Sequence, residues 1–309
     1  MKTRNLVSII CLVITGIIFS SFKAQGQYLF PKKELCEQLK TRTLAVQLFD
    51  ETNPALKPFN DAIRKAYTEE WKLTPVEFVS LQKKDELLNA GDTKYALAYP
   101  SNVVTTYTQE FIDRDTRITK FEREFNFSHF DVYLVLITSP GKSTNITSVS
   151  FINEDVLPGE LFFAAEQLHL LVNAALNDRT GKAFYDAEKN IEYIKSKTFL
   201  LPAEFFKEKD LPKMAEKYEH PFKISDLKEL NEVILSKNAQ YVYPKIIWSN
   251  KHRVYGWITV GAEDGAVRSF MAFSGLATGT NEKANEVLKP GQLNNALNKM
   301  MQKVNNKYD

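Results

Sequence analysis

Cysteine is almost missing: of the two in 309 residues, Cys11 lies in an apolar leader and Cys36 alone would remain in a processed chain. An internal disulfide is then impossible, so packing has to hold the fold. Histidine is scarce as well. His129, His169, His220 and His252 are far apart, and neither His-x-x-x-His nor His-Glu-x-x-His occurs, so a zinc site would have to be assembled from distant segments. Charge of one sign is also lacking. Once Lys2, Arg4 and Lys23 of the leader are set aside, 37 basic residues face 38 acidic ones, a net charge of −1. Such a chain has no concentrated positive field for a phosphate backbone, which makes nucleic acid a poor partner.

The common catalytic signatures are absent too. Gly141-Lys142-Ser143-Thr144 follows an apolar strand, but a phosphate loop needs glycine five positions before Gly141, where Leu136 stands. Ser274-Gly275 through Thr280 lacks the dinucleotide-binding spacing, and Ser274 has Ala272 where a nucleophile elbow needs glycine. Glu166-x-x-His169 is half of a di-iron helix motif without carboxylate partners, and His169 reads as a satisfied core histidine. Asp113/Asp115 and Glu154/Asp155 read as surface acids in turns, and Cys36 as a partly buried small hydrophobe. No cofactor, metal or catalytic residue is expected from these patterns.

What is present begins with the leader. Lys2 and Arg4 precede an apolar run from Leu6 to Phe19 that closes on Ala24-Gln25-Gly26. This is the pattern of a secretory signal peptide cut before Gln27, and it predicts a periplasmic or secreted protein of 283 residues with no membrane span after cleavage. That length suffices for one large or two moderate domains. The expected division is 1–26 signal peptide, 27–157 first α/β module, and 158–309 central helix with second α/β module.

Within the first module, Leu44–Phe49, Val76–Ser80 and Tyr95–Tyr99 read as strands alternating with helices over about 58–71 and 83–90, the second ending at Gly91. The order β-α-β-α-β returns from Lys197 to Tyr241, where Val79-Ser80 matches Ile224-Ser225. Added antiparallel strands are expected over 105–111, 118–125, 131–138 and 148–152 in the first half. In the second they are expected over 245–248, 253–261 and 266–273, with Asp264-Gly265 as a hairpin turn. Between the halves, residues from Glu160 to Leu176 are apolar nearly all round, which predicts a buried central helix. A final amphipathic helix should run from Lys289-Pro290 to Val304. The fold class is α/β to α+β, two similar β-α-β-α-β halves packed around that helix.

Trp248, Tyr255 and Trp257 cluster on the C-terminal strands. Tyr255 and Trp257 share a strand face, where a stacking platform for sugar or peptide competes with simple burial under a helix. The two modules, 40–99 and 197–243, with the export signal before them, resemble uncharacterised secreted proteins of Bacteroidota. Their topology is similar to the β-α-β-α-β module in the amino-terminal domain of TolB. The resemblance implies an exported, non-enzymatic binding or interaction module of the cell envelope, with an envelope or extracellular protein, or a small ligand, as partner. The alternative is an exported hydrolase with its site assembled from distant residues, which requires a pocket holding at least two close titratable groups.

Overall fold

The computed structural model describes residues 30–112, 119–151, 156–180, 184, 186–249, 254–275 and 288–297. It contains two mixed sheets of five strands each. The first is formed by β1 (Thr43–Gln47), β2 (Val76–Val79), β3 (Tyr95–Ile112), β4 (Thr119–Ser139) and β5 (Lys142–Phe151), in the order β2-β1-β3-β4-β5. The second is formed by β6 (Thr198–Pro202), β7 (Phe222–Ser225), β8 (Tyr241–Ser249), β9 (Val254–Gly261) and β10 (Val267–Gly275), in the order β7-β6-β8-β9-β10. In each sheet three strands run parallel and the last two add antiparallel. The helices are α1 (Lys33–Leu39), α2 (Lys57–Glu69), α3 (Leu81–Ala90), α4 (Pro158–Leu176), α5 (Ala187–Lys195), α6 (Met214–Lys217) and α7 (Leu227–Leu235). A 3-10 stretch, Pro290–Leu297, follows β10.

The strand registers superimpose the halves residue by residue. Leu44 pairs with Val76 and Ala96, and Phe199 pairs with Phe222 and Val242. The passage from β2 through α3 to β3 therefore matches that from β7 through α7 to β8 with a constant shift of 146 positions and no gap. Ser80 caps α3 by accepting the Lys83 N–H at 3.1 Å, and Asp226 caps α7 by accepting the Glu229 N–H at 2.7 Å. The expected match of Ser80 to Ser225 is thus one residue off, because the cap goes with Asp226. At the other helix end Gly91 (φ 66°) and Lys237 (φ 52°) occupy the same left-handed position. A side chain at Gly91 would run into the backbone of Pro140, whereas α7 meets no such obstacle and tolerates lysine there.

The central helix is as the apolar pattern predicts. Thirteen of the nineteen residues of α4 are buried. One continuous core joins Leu44, Val46, Leu134 and Leu136 of the first sheet, Phe162, Phe163 and Leu168 of α4, and Leu200, Tyr243, Ile258 and Val260 of the second sheet. Gly159 lets the start of α4 lie against α7, where its N–H donates to Asn231 Oδ1 at 2.7 Å and Asn231 and Ile234 would crowd a Cβ. The segment after β10 opens in the same way. Pro158-Gly159-Glu160-Leu161 has its counterpart in Pro290-Gly291-Gln292-Leu293, and the N–H groups of Leu157 and Lys289 donate to Glu160 Oε2 and Gln292 Oε1, each at 2.8 Å. A second core, with Phe199, Leu201, Met214, Trp257, Leu288 and Leu293, lies between the other face of the second sheet and this segment.

The halves differ in β3 and β4. The segments 105–111, 118–125 and 131–138, expected as separate strands, belong to two continuous ones. Pro100 reads as a breaker in sequence. In the fold the ladder with β1 ends at Ala98, so an N–H at position 100 has no parallel rung to make. β5 pairs with β4 only as far as Phe130, and from Val103↔His129 to Ile112↔Thr119 the two strands pair with each other alone among the described strands. This two-stranded arm extends about 30 Å beyond the sheet. The helix expected from 289 to Val304 is a 3-10 stretch through Leu297, and its remainder lies outside the described residues. Among the described residues no helix is long and apolar enough to cross a membrane.

Candidate functional site

The register brings the three aromatic residues singled out from sequence to one face of the second sheet, with Trp248 opposite Tyr255 and Trp257 opposite Ile246. Trp257 is 3% exposed and packs edge-on against Phe205, with ring centroids 5.1 Å apart. At Trp257 the face is therefore covered. The side chains of Trp248 and Tyr255 lie outside the described set.

Phe205 leads from Trp257 to the larger of two cavities that lie beside corresponding strands of the halves. It lies between the halves, encloses about 580 Å³ counting its open mouth, and is bounded by the start of α4, the start of α7 and residues 243–246 of β8. Its position follows from the chain. The ladder between β6 and β8 ends at Val242, two residues before Pro244, which has no N–H to extend it. In the first sheet the counterpart of Pro244 is Ala98, which still pairs with Val46, and the cavity beside it is smaller, about 250 Å³. Both cavities lie beyond the last parallel rung of the central strand, the crevice where open α/β sheets take ligands.

Two charged groups line the larger cavity. Lys245 is 5% exposed and makes an ion pair with Glu160, the residue that also caps α4. The Lys245 ammonium lies 4.4 Å from the ring centre of Phe151 and 5.5 Å from that of Phe163. Burial pulls its pKa below the ordinary lysine value, and the Glu160 carboxylate opposes that pull. Sequence reasoning missed this pair because the partners are 85 positions apart. The one available signal was a lysine beside proline in an otherwise apolar strand, Tyr241-Val-Tyr-Pro-Lys-Ile-Ile-Trp248.

A second ionic group ties the halves together. Lys237 lies 2.7 Å from Glu70 and 3.4 Å from Glu166 of α4. Glu166 is 4% exposed, and burial pushes its carboxyl up to about 8 against the opposing charge of Lys237, with Glu70 and Asp264 adding to the rise. His169, expected to be a satisfied core histidine, is half-buried against Trp71, and its Nδ1 has no hydrogen-bond partner among the described residues. Burial holds its pKa below the ordinary histidine value. Cys36 is fully buried, and its thiol is pushed up to about 11, which leaves it unreactive.

On the other face of the first sheet, His129, Asp131 and Tyr133 form a line along β4. Asp131 lies 2.7 Å from His129 Nδ1 and accepts the Tyr133 hydroxyl at 2.7 Å. His129 and Asp131 are 2% and 0% exposed, so both are closed off from solvent. Among the described residues no three His, Cys, Asp or Glu side chains are grouped to hold a metal ion. The larger cavity meets the geometric demand of the hydrolase alternative, two close titratable groups. Its described wall holds no serine, threonine or cysteine to act as nucleophile. No protein-family model matches the chain, and no curated protein sequence matches it.

Proposed function

We propose that this chain is an exported, non-enzymatic interaction protein of the cell envelope, periplasmic or secreted, which contacts another envelope or extracellular protein through the β3–β4 arm. The observation that carries this reading is that the arm occurs once in a fold otherwise built twice. β8 and β9 stop at Ser249 and Val254, where β3 and β4 run on to Ile112 and Thr119. The sister sheet is complete without such an extension, so the arm is surplus to the fold. A two-stranded ribbon is only marginally stable by itself, and its edges, which pair with no other described strand, are suited to a partner strand.

The test places a photo-crosslinking amino acid at Val104, which is 65% exposed, and at Lys57 as an exposed control on α2. In exported material from the native host, position 104 should give one discrete adduct and position 57 none; a bare position 104, or the same adducts at both, would sink the proposal. N-terminal sequencing of that material should begin at Gln27, and Met1 on a cytosolic pool would overturn export.

A further inference from the structure

We infer that the cavity at Lys245 is a binding site for an uncharged, mainly apolar small molecule carrying one hydrogen-bond-accepting oxygen, such as a ketone or an alcohol. This inference is independent of the arm. The walls are apolar, with Phe151, Phe205, Leu227 and Ile246 around the space, and they favour an apolar body. The polar part is fixed by Lys245. Of the three N–H bonds of its ammonium, one is directed to Glu160, and the Phe151 and Phe163 rings face the charge without offering an oxygen. An oxygen reaching in from the cavity would supply the missing acceptor.

Charge decides the ligand class. Lys245 and Glu160 already neutralise one another, and Glu160 is further held by the Leu157 N–H. A carboxylate or ammonium ligand would bring an uncompensated charge against mainly apolar walls, which costs more than a hydrogen bond returns. A neutral carbonyl or hydroxyl brings no such penalty. The site is also preformed, because the Pro244 break in the β6–β8 ladder and the start of α4 fix its opposite sides.

The probe is prodan, an uncharged naphthyl ketone whose emission moves to the blue in apolar surroundings, titrated into the full processed chain. Saturable blue-shifted binding is expected, together with no binding of naphthoate, a carboxylate of similar body. Leu227→Trp, which fills the cavity, should weaken prodan binding at least tenfold with the circular dichroism spectrum unchanged. The double variant Lys245→Met, Glu160→Gln removes the donor without stranding a charge, and Gln292 shows that glutamine performs the same cap. It should stay folded and bind about fivefold more weakly. Wild-type protein that fails to bind, or a folded Leu227→Trp variant that binds equally well, overturns the site. Naphthoate bound as tightly as prodan overturns the neutral-ligand assignment.

Discussion

The two sheets share strand order, register, helix caps and even the left-handed residue after the second strand-linking helix, yet they differ in what lies on the face next to that helix. In the second sheet this face carries Tyr243, Val260 and Ile258 and is packed under α4 in the common core. In the first sheet the same positions are Leu97, Val135 and Tyr133, and the face packs under α3 in a small separate cluster. Leu81, the counterpart of Leu227, is left 53% exposed. One repeat thus buries its two faces in different ways according to its neighbour. α4 is the cause: it closes the first repeat as Pro290–Leu297 closes the second, and it also covers the second sheet.

If α4 is shared in this way, the halves cannot unfold independently. Phe162 is fully buried on α4, so Phe162→Ala should cost about 4 kcal/mol through lost transfer energy and a residual cavity. Urea unfolding followed by tryptophan fluorescence, with Trp71 in the first half and Trp257 in the second, and by far-ultraviolet circular dichroism should give coincident transitions, both moved to lower urea. Two separated transitions would show that the halves are autonomous and that the common core is only a contact.

The ionic contact between the halves gives the next largest effect, and it depends on pH. The folded state holds a proton on Glu166 up to about pH 8, whereas an unfolded glutamate releases it near its ordinary value of about 4.3. Between these values the folded state binds more protons, so the stability contributed by the neutral Glu166 carboxyl falls as pH rises and is gone by the time pH passes 8. Glu166→Gln, which mimics the protonated form, should match wild type near pH 5 and exceed it by about 3 kcal/mol near pH 9. Thermal melts of both proteins across that range test this; parallel curves would mean that Glu166 is ionised throughout.

The sequence shows much of this architecture and little of its chemistry. Periodicity reveals the repeated strand and helix order, because patterns of two and near four persist wherever one face is buried. The all-round apolar run of α4 announces its central place, and Asp264-Gly265 marks the β9–β10 turn, where Gly265 takes φ 63°. The continuity of β3 is hidden by Pro100, since a local breaker says nothing about whether the missing rung was needed. Lys245, Glu160, Lys237 and Glu166 are invisible as a set. Glu166 and Lys245 stand out singly in apolar segments, but nothing in the sequence shows which charges pair until packing brings the halves together. The correspondence of the halves is legible only to within a residue, because the capping side chain changes from serine to aspartate while the backbone job stays the same.

The smallest prediction is the sharpest test of that equivalence. Ser80 and Asp226 each accept one N–H three residues on, at the start of helices that follow corresponding strands. α3 begins without acidic residues in its first turn, whereas α7 has Glu229 there, held by Lys223. Ser80→Ala and Asp226→Ala should therefore each cost about 1 kcal/mol. The Asp226 variant should lose a few tenths more at low salt, because a carboxylate is also attracted to the positive N-terminal end of the helix dipole, and salt screens that extra part. Chemical denaturation at two ionic strengths measures both. If one substitution costs nothing while the other costs its full share, the caps do not perform the same work, and the residue-by-residue correspondence of the halves holds for the backbone trace alone.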